Sequence, residues 1–199
     1  MDALKSSTRI NLERATVLVL DDNGTSLDIL SQVVSGFGVK QLHRAETVKD
    51  AQSLVGTKTF DLIISDVQIP DVDGIEFINW LRRDAPETNR YVPVILVTGH
   101  TRTTDIFRTR DAGANFTVAK PITPKVLLER IFWVAREERA FIECDSYVGP
   151  DRRFKYEGPP IGMEGRRRDD LPAEVGNAQE ANMSQDEINS LMKVAKVQI

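Results

Sequence analysis

The sequence predicts an α/β fold built on a doubly wound, five-stranded parallel sheet with helices on both faces. Two observations lead to this fold class. Apolar runs rich in β-branched residues alternate with segments of helical spacing along most of the chain. The runs at 16–20 and 92–97 are almost wholly apolar, which is typical of strands buried on both faces. This alternation favours right-handed crossovers between parallel strands.

Each helix is predicted from apolar positions at helical spacing and from residues that favour its ends. Thr47 is a suitable N-cap for the second helix, and Thr123 followed by Pro124 predicts the start of the fifth. Gly38 and Pro86 mark the ends of the first and third helices. The strands are expected at 16–20, 40–43, 62–65, 92–97 and 116–119, and the helices begin near residues 25, 47, 74, 103 and 123, the last continuing to about Ile142.

The 199 residues are expected to form one domain with a short leader and a long extension. Residues 1–14 have no apolar core and are predicted to be a flexible leader, and residues 15–143 hold the alternating elements. Residues 144–183 contain Gly, Pro and Arg without helical or strand spacing and are predicted to be a linker. Residues 184–199 regain helical spacing and predict a short amphipathic C-terminal helix.

The composition argues against several classes of function. A net charge of −4 gives no global signal for nucleic-acid binding, and no helix-turn-helix follows the main domain, so DNA binding is not expected. His43 and His100 have no Cys or His partners at metal-ligand spacing, which argues against zinc. The single cysteine, Cys144, fits a reducing cytoplasm. No apolar stretch is long enough to span a membrane, so a cytoplasmic protein is expected.

Polar residues follow directly after several of the predicted strands. Asp21 and Asp22 follow the first strand and Asp66 the third, while Thr98 and Lys120 fall at the ends of the fourth and fifth. Because the carboxyl ends of parallel strands share one edge of the sheet, these residues are expected to lie close together. An isolated Asp-Asp pair is usually a solvated turn, but five polar residues on one edge favour a functional site.

Phosphoryl transfer to a carboxylate is the chemistry expected of this edge. Neighbouring carboxylates repel unless a cation lies between them, and Mg2+ prefers oxygen ligands. Asp66 is the best candidate nucleophile and would form an acyl phosphate, while Lys120 and Thr98 would contact phosphoryl oxygens. The expected Mg2+ ligands are the carboxylates of Asp22 and Asp66, the carboxylate of Asp21 through a water molecule, and the backbone carbonyl of Gln68.

In order and spacing, these residues resemble the motif of the receiver domain in two-component response regulators, the CheY-like family. The motif residues in this chain are Asp21, Asp22, Asp66, Thr98, Lys120 and Pro121. The loop 69–74, with Pro70 and Gly74, is similar to the turn that follows the acceptor in that family. The resemblance covers about residues 15–143.

The resemblance implies a flavodoxin-like (βα)5 fold, Mg2+ as cofactor, and a cis peptide bond before Pro121. It further implies phosphorylation of Asp66 by a histidine kinase or a phosphotransfer protein, with self-phosphorylation and slow autodephosphorylation as the only chemistry. Thr117 departs from the family, which usually has a Tyr or Phe switch residue at this position. A threonine has no aromatic ring to swing, so either the switch is muted or neighbouring segments replace it.

The C-terminal segment carries a second resemblance. Ser184 to Glu187 has the form of a capping box, and Ile188, Leu191 and Met192 fall on one helical face. Residues 183–192 resemble the N-terminal segment of the flagellar switch protein FliM, which phosphorylated CheY-like receivers bind. The resemblance implies a built-in ligand for the protein's own receiver, a second copy, or another CheY-like protein. The alternative is a frayed terminal helix without a partner.

Arginine clusters between the domain and the tail allow two interpretations. The simpler one is a solvated linker. The other is a phosphate or cyclic-dinucleotide site, because guanidinium groups offer forked donors and stack on bases. The candidate ligands are Arg152, Arg153, Arg166, Arg167 and Arg168.

The leading expectation is a stand-alone response regulator in which phosphorylation switches protein–protein contacts, in motility or chemotaxis control. A phosphate sink or phosphorelay shuttle would need the receiver but no output surface. A cyclic-dinucleotide effector would use the arginine-containing tail.

Overall fold

The computed structural model describes residues 12–70, 72–136, 139–152, 184–186 and 188. Residues 1–11 of the expected leader lie outside the described residues. So do residues 153–183, which make up most of the predicted linker, and all of the predicted C-terminal helix beyond Ile188.

Five parallel strands form the central sheet in the order β2-β1-β3-β4-β5, which confirms the predicted fold class. The strands β3 and β4 are buried at every residue, as their apolar sequences predict. The strands are β1 (Thr16–Leu20), β2 (Gln41–Ala45), β3 (Leu62–Asp66), β4 (Val94–Thr98) and β5 (Phe116–Ala119). Observed β2 extends two residues further than expected, and β4 starts two residues later.

Helices connect the strands and cover both faces of the sheet. Side chains cap four of them, as Asn23, Thr47, Asp73 and Thr123 each accept a hydrogen bond from a backbone N–H in the first turn. The helices are α1 (Gly24–Gly36), α2 (Val48–Thr57), α3 (Gly74–Arg83), α4 (Glu87–Arg90), α5 (Thr103–Asp111) and α6 (Pro124–Ala135). One apolar core lies under α2 and α3, and a second lies under α1, α5 and α6. No helix in the described ranges is long and apolar enough to cross a bilayer.

The short helix α4 was not predicted, and a buried asparagine explains it. Asn89 is fully buried and donates from Nδ2 to the carbonyl oxygens of Val55 and Lys58, at 2.8 and 2.6 Å. Its Oδ1 accepts from the backbone N–H of Phe60 at 2.9 Å. These long-range bonds hold α4 against the last turn of α2 and the segment between α2 and β3.

A β-hairpin follows α6, and it corrects two expectations. Helix α6 ends at Ala135 rather than near Ile142. Strands β6 (Phe141–Cys144) and β7 (Tyr147–Pro150) then pair antiparallel, so residues 144–150 are not linker and the ordered unit extends past residue 143. β7 is buried at every residue. A Cβ on Gly149 would lie 2.7 Å from the Cα of Gly113, so the hairpin contacts the domain at backbone distance.

Arg82 joins the hairpin to the domain. Its side chain is 1% exposed, and its guanidinium donates to the carbonyl oxygens of Gly113, Arg90 and Val92. The same group lies 5.0 Å from the centroid of the Phe141 ring. Burial lowers the pKa of Arg82 to about 9, so the side chain is still protonated at neutral pH and needs these oxygen acceptors.

The start of α3 passes very close to the end of β3. A Cβ atom on Gly74 would lie 2.2 Å from the backbone oxygen of Asp66 and 3.0 Å from the Cα of Val67. The N–H of Gly74 also donates to the carbonyl of Val67 at 2.9 Å. Only a residue without a Cβ permits this approach, which sets the backbone position of Asp66.

Gly74→Ala should therefore lower the free energy of unfolding by about 1–3 kcal/mol, because the added methyl group must displace backbone. Gly56→Ala, in α2, is the matched control because an added Cβ there meets nothing within 4 Å. The control should leave stability unchanged or raise it by up to about 1 kcal/mol. Chemical denaturation of both full-length variants makes the comparison, and a Gly74→Ala protein as stable as the control would contradict this account.

Candidate functional site

An acidic cluster occupies the carboxyl edge of the sheet. Asp21 follows β1, and Asp66 is the last residue of β3. With Asp22, they can place one carboxylate oxygen each within 4.8 Å of one another. Asp21 is 0% and Asp66 5% exposed, whereas Asp22 is exposed. Two buried carboxylates and one accessible carboxylate thus share one pocket.

Lys120 lies between the two buried carboxylates. Its Nζ is 2.5 Å from Oδ2 of Asp66 and 3.2 Å from Oδ2 of Asp21. The lysine directly follows β5, and its backbone N–H donates to the carbonyl of Thr98 at 2.8 Å. Three parallel strands therefore bring one cation and two anions together.

The electrostatics of the cluster reflect burial opposed by ion pairing. Burial raises the pKa of Asp21, although a backbone hydrogen bond from Asn23 and the charge of Lys120 act in the opposite direction. Burial would lower the pKa of Lys120, but its hydrogen bonds and ion pairs with Asp66 and then Asp21 raise it overall. Lys120 is thus held in its charged form beside the acids.

Backbone donors orient the two buried carboxylates. The N–H of Asn23 donates to Oδ1 of Asp21 at 2.9 Å, and the N–H of Gln68 donates to Oδ1 of Asp66 at 3.2 Å. In both cases the donor lies two residues after the acid, in the turn that leaves the strand. Gln68 is exposed, and the role expected of its carbonyl as a metal ligand stays a prediction.

The acidic cluster fits a hard divalent cation. All of its candidate ligand atoms are carboxylate oxygens, and one from each of the three acids lies within 4.8 Å of the other two. The buried carboxylates of Asp21 and Asp66 share the single positive charge of Lys120, so a bound cation would offset the negative charge that remains. Asp22 would complete the set from the solvent side.

Thr98, expected to contact the phosphoryl group, and Thr117, at the expected switch position, both use their hydroxyls in hydrogen bonds outside the acidic cluster. The Thr98 hydroxyl donates to the carbonyl of His100 and accepts from its N–H, both at 3.0 Å. The fully buried Thr117 instead pairs its hydroxyl with that of Thr109 on α5, at 2.8 Å. Thr117 therefore links β5 to α5 at the position where an aromatic switch was expected from the resemblance.

The loop residues predicted from the resemblance lie close to the ends of β3 and β5. Pro70 is exposed, and Gly74 packs on the backbone of Asp66. The Lys120–Pro121 peptide bond is cis.

The first turn of the C-terminal segment contacts β5. Gln185 accepts a hydrogen bond from the N–H of Ala119 at 2.7 Å and donates to the carbonyl of Thr117 at 3.4 Å. Ile188 is 0% exposed and belongs to the core under α5 and α6. The other predicted tail contacts, Leu191 and Met192, lie outside the described residues.

Among the candidate phosphate-binding arginines, only Arg152 lies in the described part of the chain. Its Nη1 donates to Oδ1 of Asp111 at 2.9 Å, and its guanidinium stacks over the Tyr147 ring at 3.9 Å. The Arg152 guanidinium thus bridges Tyr147 of the hairpin and Asp111 at the end of α5. Arg153, Arg166, Arg167 and Arg168 lie outside the described residues.

Sequence reasoning did not identify Thr109 or Gln185 as residues of interest. The helical spacing of α5 places Thr109 on its buried face, but no pattern indicates that it bonds Thr117. Gln185 was expected only as part of a capping box and of the FliM-like segment 183–192, without a role of its own. Its backbone partners on β5 can belong to any residue type, so no sequence signal points to them.

The comparison with protein families finds a match to the response regulator receiver domain over residues 17–132. The chain is 30% identical to the polar-differentiation response regulator DivK of Brucella ovis over 116 residues, which is 58% of this chain and 92% of DivK. It is 29% identical to the chemotaxis protein CheY of Pseudomonas aeruginosa over 115 residues, 58% of this chain and 91% of that protein.

Among solved structures, the chemotaxis response regulator CheY4 of Vibrio cholerae superposes with a TM-score of 0.56 at 27% identity. The superposition covers 60% of this chain and 98% of CheY4. A putative response regulator of Chloroflexus aurantiacus gives a TM-score of 0.57 at 28% identity, over 61% of this chain and 98% of that one. The family match, the sheet order and these likenesses agree, and the chain belongs to the response regulator receiver domain family.

Proposed function

We propose that this protein is a response regulator in which Asp66 accepts a phosphoryl group and thereby switches protein–protein contacts. The observation that carries the proposal is the position of Lys120 Nζ, 2.5 Å from Asp66 and 3.2 Å from Asp21 at the edge of the sheet. This arrangement brings together a nucleophilic carboxylate, a cation to bind the phosphoryl oxygens and further acids to bind a metal ion. The donor is a histidine kinase or a phosphotransfer protein, the partners with which receiver domains interact.

The proposed reaction is a displacement at phosphorus. A carboxylate oxygen of Asp66 forms the new P–O bond, and the bond from phosphorus to the donor atom breaks with its electron pair leaving on the donor. The product is an acyl phosphate on Asp66. Lys120 exchanges its contact with the Asp66 carboxylate for one with a phosphoryl oxygen, without losing its proton.

Asp21, Asp22, Asp66 and the carbonyl of Gln68 would hold Mg2+. When bound, Mg2+ neutralises negative charge on the phosphoryl group and orients it toward the nucleophile. The buried carboxylate of Asp21 is fixed by the N–H of Asn23, so it is already oriented for this role. Asp22 is exposed and can adjust its side chain as the cation enters.

Thr98 supplies the proposed conformational response. Its hydroxyl is satisfied by His100 in the present structure, so donation to a phosphoryl oxygen requires those two bonds to break. The loop after β4 would then move with His100. The Thr109–Thr117 bond ties α5 to β5 in place of a swinging ring, which supports an output through the surface made by α5, β5 and α6.

The C-terminal segment is the proposed output element. Its resemblance to the FliM segment, and the contacts of Gln185 and Ile188 with the domain, support a role as ligand of a CheY-like receiver. Control of motility or chemotaxis follows from this part of the proposal. The contacts favour such a role over a phosphate shuttle, which needs no ligand on β5. The engagement of Arg152 with Asp111 disfavours its use in a cyclic-dinucleotide site.

No turnover of small substrates is proposed, and the chemistry is limited to self-phosphorylation and slow autodephosphorylation. The cytoplasmic location expected from the single cysteine is part of the same proposal.

Asp66→Asn should reduce labelling by a small phosphodonor, such as acetyl phosphate with Mg2+, to background, because the amide cannot form a stable acyl phosphate. Incorporation of labelled phosphate into the full chain is the measurement. Asp84→Asn removes an exposed carboxylate at the end of α3 and should label normally. Full labelling of the Asp66→Asn protein would exclude this residue as the acceptor.

Asp22→Asn should weaken Mg2+ binding by about tenfold or more, because it removes one charged oxygen ligand while leaving the buried acids in place. Titration followed by backbone amide shifts of the full chain gives the affinity. Asp28→Asn, an exposed acid on α1 paired with Arg44, is the control and should bind Mg2+ as the parent protein does. Equal weakening in both variants would show only a general charge effect.

A further inference from the structure

The outer edge of β5 is covered by a side-chain amide. β5 is the last strand of the sheet, and its other edge pairs with β4. Oε1 of Gln185 accepts from the N–H of Ala119 at 2.7 Å, and Nε2 donates to the carbonyl of Thr117 at 3.4 Å. These two backbone groups point away from β4, where an added strand would bind.

The Gln185 amide copies the hydrogen bonding of one residue in a parallel strand. Such a residue accepts from the N–H on one side of the opposite residue and donates to the C=O on its other side. Gln185 does the same around Val118, with the acceptor and donor of one side chain. The amide therefore makes the two hydrogen bonds to the edge of β5 that one residue of an added strand would make.

An apolar anchor follows one helical turn later. The N–H of Ile188 donates to the carbonyl of Ser184 at 3.1 Å, which closes the turn. The Ile188 side chain is 0% exposed and belongs to the same buried cluster as Phe116, Val118 and Ile131. Ile188 therefore anchors the segment in the apolar core one helical turn after Gln185.

The charge of the segment matches a buried arginine on α6. Arg130 is 8% exposed and stacks over the Phe116 ring at 4.7 Å, and its Nε has no hydrogen-bond partner among the described residues. Burial lowers the pKa of Arg130, and the negative charges of Glu129 and Asp186 oppose that change. Asp186 thus brings a compensating charge to a cation that the domain alone leaves poorly solvated.

From these contacts, we propose that segment 184–188 is an intramolecular ligand that closes the β5–α6 surface of its own receiver to partners presenting the same Ser-Gln-Asp-x-Ile chemistry. The inference rests on the proposed output role of the tail but not on phosphorylation of Asp66. A partner that pairs its glutamine with Ala119 and Thr117 would have to displace Gln185 first. The receiver then binds such a partner only in the fraction of molecules with the segment undocked.

The length of the chain favours binding within one molecule. About 30 residues separate Arg152 from Ser184, and at up to about 3.3 Å per residue this length exceeds the width of the domain severalfold. Tethering on this scale gives effective concentrations near the millimolar range. The tail of a second copy, present at micromolar concentration, would compete poorly with the tethered segment for the same surface.

The test uses a labelled synthetic peptide of residues 183–199 and the full-length protein. Ile188→Asp should release the docked segment, so the variant is expected to bind the peptide at least about tenfold more tightly than the parent protein does. Ile29→Asp is the matched control: Ile29 is 56% exposed on α1, and its replacement should leave peptide affinity at the parental value. Fluorescence anisotropy measures all three affinities without a phosphodonor.

Equal affinity of the parent and the Ile188→Asp protein would overturn the proposal, as would absence of binding to both. Sedimentation shows whether the docked segment comes from the same molecule or from a second copy. A concentration-dependent dimer of the parent that Ile188→Asp abolishes would assign the contact to a second copy and overturn the intramolecular form. A monomeric parent supports it.

Hydrogen exchange at one amide tests the contact directly. The Ala119 N–H should exchange slowly in the parent and at least about tenfold faster in Gln185→Ala, because the edge amide then meets water. Equal rates would overturn the role of Gln185. Labelling of Asp66 in these variants is measured separately, so failure here is distinguishable from failure of the phosphorylation proposal.

Discussion

The convergence of three carboxylates at the end of a parallel sheet is the constraint on which this structure depends. Two of these acids are buried, so their charges need a cation close by. Lys120 provides it, with Nζ within hydrogen-bond distance of both. The strands β1, β3 and β5 are thereby joined at the edge where the proposed chemistry takes place, while Gly74 fixes the backbone of Asp66 through an approach that excludes a Cβ.

The same lysine connects this site to the surface where segment 184–188 docks. Lys120 directly follows Ala119, whose N–H binds Gln185, and its own N–H binds the carbonyl of Thr98. A movement of Lys120 on phosphorylation would therefore displace the adjacent Ala119, whose N–H binds Gln185. By linkage, docking of the tail must alter the phosphorylation equilibrium to the same extent that phosphorylation alters docking.

Much of the fold could be predicted because burial on both faces leaves long apolar runs such as β4, and because the polar residues that follow them mark one edge. The hairpin was missed because Arg82, which lies over its Phe141 ring, is itself held by carbonyl oxygens of distant segments of the domain, and carbonyl oxygens impose no residue preference. The tail contact was anticipated only in general terms, since Gln185 also binds backbone. For Thr117, the lack of an aromatic ring was evident, but its bond to Thr109 depends on the packing of α5.

The most direct test of the central claim is chemical identification of the phosphorylated residue. Full-length protein is phosphorylated with a small phosphodonor and Mg2+, and the acyl phosphate is reduced with borohydride, which converts the modified aspartate to homoserine. Peptide mass spectrometry then locates the change. The account predicts homoserine at Asp66 alone and only when Mg2+ is present. Homoserine at Asp21 or Asp22, or equal modification after chelation of the metal, would contradict it.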